Sequence, residues 1–143
     1  MKKSKNIVEK LHIHPISAHF PSAFFPFSVL FIILVIIKED SAFVTGVKYT
    51  QLAGAVTNPI AMASGLIDWK SKYKGAKVPI FKKKILFSSI AQTLAFLCVA
   101  WSYLMPGVLE ADNFLIYLFL LLTILSTVFT FLVGRWGARL VYL

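Results

Sequence analysis

The three histidines of this chain sit in one short stretch, His12-Ile13-His14-Pro15-Ile16-Ser17-Ala18-His19-Phe20-Pro21. Imidazoles that close together are the first place to look for chemistry. His12 and His14 are two apart, so on an extended segment both rings project to the same side. With His19 and a distant carboxylate, Asp68, they would make a set of three nitrogens and one oxygen, which suits zinc, copper or iron. Haem is the second candidate. A b-type haem in a helix bundle usually takes two imidazoles from different helices, on opposite faces of the ring. His14 and His19 are five apart and point about 140° away from each other on a regular helix. They cannot grip one iron from two sides. Haem would therefore need Met62 as second ligand, a five-coordinate iron, or a homodimer that gives one histidine from each copy.

The elements that must position these groups are apolar. Of 143 residues, 58% are hydrophobic and 15% charged, and mean hydropathy is +0.77. That composition points to an integral membrane protein in one domain spanning residues 1–143. Four apolar runs predict transmembrane helices over about 16–37, 43–67, 85–104 and 114–133, each near the ~20 residues needed to span. The fold class expected is an all-α four-helix bundle. Pro15 suits a helix start, whereas Pro21 and Pro26 leave the carbonyls of Ser17 and Ser22 without their usual donors. The second run is the least apolar. Its Ala53, Thr57, Ala61 and Gly65 form a stripe that lets another helix approach closely. Asn58-Pro59 interrupts it, and the Asn58 amide should face protein rather than lipid.

The net charge of +9 does not signal nucleic acid, because the cations cluster between the apolar runs. The tail holds Lys2, Lys3, Lys5 and Lys10. The second loop, read as 70–84, holds Lys70, Lys72, Lys74, Lys77, Lys82, Lys83 and Lys84, and the carboxyl end holds Arg135 and Arg139. The positive-inside rule then places both termini and this loop on the cytoplasmic side of the cell's inner (cytoplasmic) membrane. The first run is too long for a signal peptide and ends in Lys38-Glu39-Asp40 without a small-residue cleavage site. The single cysteine, Cys98, excludes an intrachain disulfide and any CxxC site. There is no nucleotide-binding loop, HExxH, GxSxG or carboxylate pair, so the common enzyme classes find no support. This topology gathers His14, His19, Asp68, Lys82–Lys84 and Arg135 at one membrane face.

Three motifs there resemble domain-of-unknown-function family 2231: His14-Pro-Ile-Ser-Ala-His19-Phe20-Pro21, then Gly65-Leu-Ile-Asp68, then Gly134-Arg-Trp-Gly137-Ala-Arg-Leu140-Val141-Tyr142. The resemblance covers nearly the whole chain. It implies a small four-helix membrane protein with His14, His19, Asp68, Gly134, Gly137 and Tyr142 as marked positions. Relatives found beside cytochrome-like and metal-handling proteins imply haem or metal binding and a membrane redox complex as partner. Many members carry a further histidine near the start of the third helix. Here Phe81 to Ser89 contains none.

Four readings follow. His14 and His19 bind b-type haem in a redox-associated protein. His12, His14, His19 and Asp68 bind a transition metal. An imidazole beside Asp68 serves a quinone or proton site, with Phe20, Phe24, Phe25 and Phe27 flanking a ring. Or the cluster is structural, in a non-catalytic subunit or assembly factor. In that case His19 bonds Asp68 or a carbonyl freed by Pro21, Asp68 alternatively pairs with a nearby lysine, His14 caps the first helix, and Arg135 satisfies helix-end carbonyls while Asn58 ties helices together.

Overall fold

The computed structural model describes residues 13–141. Four long helices make up the chain: α1 Ile13–Lys38, α2 Ala42–Ser71, α3 Pro79–Leu104 and α4 Leu115–Val141. A 3-10 turn, Pro106–Leu109, links α3 to α4. Among the described residues there is no strand. The fold is an all-α bundle in which α1 packs on α2 and α4, and α3 packs on the same two. The expectations for His12 and Tyr142 fall outside the described residues.

Three of the helices, α1, α3 and α4, are long and apolar enough to cross a membrane. α2 has the length, at 30 residues, or about 45 Å. Its Lys48, Gln51 and Asn58, and its many small residues, leave it the least apolar.

The helices run further than the apolar runs suggest. α3 begins at Pro79, whose missing N–H takes no bond from the first turn. Phe81 there is buried and lies against Trp69 and Tyr73, with ring centroids 5.9 and 5.1 Å away. Lys82, Lys83 and Lys84 are thus helical rather than part of the loop. α2 continues through Asp68 to Ser71, and α4 continues through Gly134, Arg135 and Gly137. The true loop is held by the Trp69 indole N–H, which donates to the Ala76 carbonyl at 2.8 Å. It turns at Gly75, whose φ of +71° favours glycine.

α1 and α2 meet through rings laid on glycines. A Cβ at Gly54 would stand 2.5 Å from Phe25 Cε1, and one at Gly46 would stand 2.9 Å from the Phe31 ring. Only the missing side chains allow this approach. Between these two seats, Ser28 and Gln51 are fully buried, and their side-chain polar atoms bond no other described residue.

Pro59 breaks the ladder of α2, and α3 repairs it. Proline at 59 removes the donor for the Ala55 carbonyl. The Gln92 amide donates to that carbonyl at 3.0 Å, and Asn58 donates to Gln92 Oε1 at 2.8 Å. Each group is buried. Asn58 therefore faces protein, as an amide at that depth must.

Candidate functional site

At the basic end of the bundle the four helices part around a cavity of about 580 Å³. Its size is that of a small-molecule site. α1 lines it with His14, Ala18, His19 and Ser22, and α2 with Asn58, Met62, Gly65 and Asp68. α3 contributes Phe81, Lys84 and Ser88, and α4 contributes Thr130, Val133, Gly134 and Gly137. The walls are mostly apolar or small, with a few polar groups among them.

His14 is the group held most firmly. Its Nδ1 lies 3.1 Å from the Ala61 carbonyl and 3.1 Å from Ser64 Oγ. A carbonyl only accepts, so Nδ1 carries the hydrogen, and Nε2 keeps the lone pair of the neutral ring. Ser64 Oγ donates to the Ala61 carbonyl at 2.9 Å and stands 2.9 Å from Ser17 Oγ. Ser17 Oγ in turn reaches the His14 carbonyl at 3.1 Å. Two polar groups thus hold one edge of the imidazole, and Ser17 ties one of them back to α1. Nε2 makes no hydrogen bond to any described residue.

Gly65 provides the bed for that ring. A Cβ there would stand 2.9 Å from His14 Cε1, closer than carbon atoms pack. The first two motifs are therefore one device, in which the glycine of the second seats the histidine of the first. The third motif faces the same space. A Cβ at Gly137 would stand 3.4 Å from Lys84 Nζ, and one at Gly134 would meet nothing within 4 Å.

His19 and Asp68 do not join His14 as a ligand set. Both line the cavity, but His19 is exposed and bonds neither Asp68 nor the Ser17 carbonyl. The Asp68 carboxylate takes Lys72 one turn on, at 2.9 Å. Among the described residues no three His, Cys, Asp or Glu side chains stand together as metal ligands. His14 does not cap α1. It reaches across to α2. Arg135 is exposed within α4 and makes no side-chain hydrogen bond to any described residue.

Lys84 in the site, and Gln92 outside the cavity lining, carry weight that spacing alone does not reveal. Met62, the second haem ligand on one of the sequence readings, lines the cavity with His14. Gln92 could have been sought as the donor that Pro59 makes necessary. Lys84 is hidden in sequence among the other lysines of its segment.

A family profile described as "Predicted membrane protein (DUF2231)" matches residues 10–143. An uncharacterized protein of Archaeoglobus fulgidus is 28% identical over 88 residues, covering 62% of this chain and 69% of that one. No solved structure matches the chain. With the profile spanning almost its full length, the chain belongs to this family of membrane proteins.

Proposed function

We propose that this family member is a small redox-associated membrane subunit whose basic-end cavity would hold b-type haem through the His14 Nε2. The observation that carries this is the Nδ1–H bond from His14 to the Ala61 carbonyl. Anchoring one ring nitrogen on a backbone carbonyl is how proteins orient an imidazole that ligates through the other. The cavity fits such a guest. It has one oriented imidazole, apolar walls for a macrocycle, and Lys84 at hand for a carboxylate. Haem supplies one-electron transfer when bound. The chain's own groups hold it, screen it from water and set its orientation. Met62 would be a further donor from this chain, and a second copy of the chain would be the other source.

The cation pattern supports a cytoplasmic location for both termini and for the cavity, in the inner membrane. Electrons would then pass to or from a membrane redox complex on that side. Accessibility of single cysteines placed at Lys74 and Asp112 to a membrane-impermeant reagent tests the orientation. The Asp112 site alone should react in intact cells.

A second reading has its own support. The His14–Ser17–Ser64 and Asn58–Gln92–Ala55 bonds tie helices together where lipid gives no hydrophobic drive between them. On that reading the protein is a non-catalytic subunit or assembly factor. The discriminating measurement is a reduced-minus-oxidised visible spectrum of protein purified from haem-replete cells. Haem bands that vanish in His14→Ala, with helicity retained, are the expected result. A colourless protein that also fails to take up haemin would falsify the haem reading and leave the structural one.

A further inference from the structure

We infer that Lys84 is an anion seat inside the cavity, so that its occupant is an amphipathic anion whose carboxylate or phosphate oxygen is held by the Lys84 ammonium. This rests on the cavity reading above and names how the charged end of the guest is held. Lys84 belongs to the apolar span of α3 and is half-buried in the cavity wall. A cation at such a place is costly unless something pairs with it. The carboxylate that shares the cavity, Asp68, is engaged by Lys72 at 2.9 Å. Among the described residues no carboxylate oxygen lies within 4 Å of the Lys84 ammonium, which makes no hydrogen bond to any of them.

The surroundings keep this cation in the cavity rather than at the surface. Gly137 leaves the space beside Nζ that a side chain would narrow. Lys83, the preceding residue, turns to the Trp136 ring instead, with Nζ 4.4 Å from its centroid. Lys82 is exposed. Of three consecutive lysines, one alone lines the cavity. At one wall, then, stands a cation with no direct ion pair, its neighbouring carboxylate Asp68 being bonded to Lys72. His14 lines the same space with an unspent lone pair, and the walls between are apolar. A guest that satisfies all three has an apolar body, an electrophilic or hydrogen-donating centre, and an anionic edge. Haem, with its propionates, has this form. An anionic phospholipid entering between the helices offers the same oxygen chemistry through its phosphate.

The test uses the full-length protein, prepared free of haem in detergent, as wild type, Lys84→Gln and Lys84→Arg. Each is titrated with haemin and with haemin dimethyl ester, whose propionates are blocked. Each is also reconstituted in nanodiscs of phosphatidylglycerol and phosphatidylcholine and examined by native mass spectrometry for retained lipid. The expected result is haemin binding about tenfold weaker in Lys84→Gln, the worth of one charge-assisted hydrogen bond. Lys84→Arg should bind near wild type. The dimethyl ester should bind wild type and Lys84→Gln alike, because the lost carboxylate and the lost ammonium are the same interaction. If haemin fails to bind but phosphatidylglycerol is retained by wild type and lost in Lys84→Gln, the anion seat stands and the haem reading falls. Haemin that binds through His14 equally well in wild type and Lys84→Gln, with no difference between acid and ester, overturns the anion seat and leaves haem standing. Neither ligand responding to the loss of the Lys84 charge overturns it as well.

Discussion

The two ends of this bundle are built from the same four helices and packed in opposite ways. At the end away from the lysine-rich turn, Ile32, Val35, Val47, Cys98, Ile116 and Phe119 pack together as one buried cluster. Val108 and Leu109 of the 3-10 turn plug the centre. At the basic end the helices stand around a cavity of about 580 Å³. Four-helix geometry clearly permits tight closure, because the far end achieves it. The hollow is a property of the residues placed there: Ala18, Ala61, Gly65, Gly134, Gly137 and Ala138 where the far end has Ile, Val, Leu and Phe. Space in a membrane bundle is thus made by small side chains, and it coincides with the three motifs.

The sharpest way to break this contrast is to empty the packed end. Phe119 is fully buried beside Trp101, and Phe119→Ala should lower stability by about 3–5 kcal/mol, read as a fall in the detergent melting temperature. Ligand uptake by the molecules that remain folded should be unchanged. A smaller loss is expected from Gly65→Ala, about 1–3 kcal/mol for overpacking against the His14 ring. Here uptake of haemin should fall with it, since the imidazole must move. Loss of stability with full uptake would separate Gly65 from the site. The smallest effect has the opposite sign. Gly134 meets nothing, so Gly134→Ala should raise stability by up to about 1 kcal/mol through helix propensity alone. If it lowers the melting temperature, the space beside Gly134 is not open and the contrast between the ends weakens.

Much of the fold could be read in advance, since four apolar runs separated by cations leave few alternatives. The ends of the helices were harder to place. Lys82, Lys83 and Lys84 look like loop, yet Pro79 starts a helix there and buried Phe81 pins it. Long cationic side chains can leave a helix for the surface, so charge marks the membrane boundary better than it marks the end of a helix. The site was legible in its location but not in its wiring. The spacing of His14 and His19 says that they diverge. It cannot say that His14 is the one bonded to Ala61 and Ser64, because that depends on the register between α1 and α2. The register is set by rings resting on Gly46, Gly54 and Gly65, a pairing across the chain that no single run of sequence displays. Lys84 could not be told from its neighbours for a related reason, since its place depends on where α4 carries Gly137.

The bond from Gln92 to the Ala55 carbonyl also bears on how the chain enters the bilayer. Until α3 arrives, a ribosome-fresh α2 presents an unpaired carbonyl and the Asn58 amide to hydrocarbon, where neither finds water. It is also the least apolar of the four segments, and so the poorest candidate to remain in lipid by itself. Once α3 is beside it, both groups are answered by a single glutamine. Biogenesis therefore favours α2 and α3 settling as a hairpin. The proline that weakens one helix makes the arrival of the next a condition of its insertion.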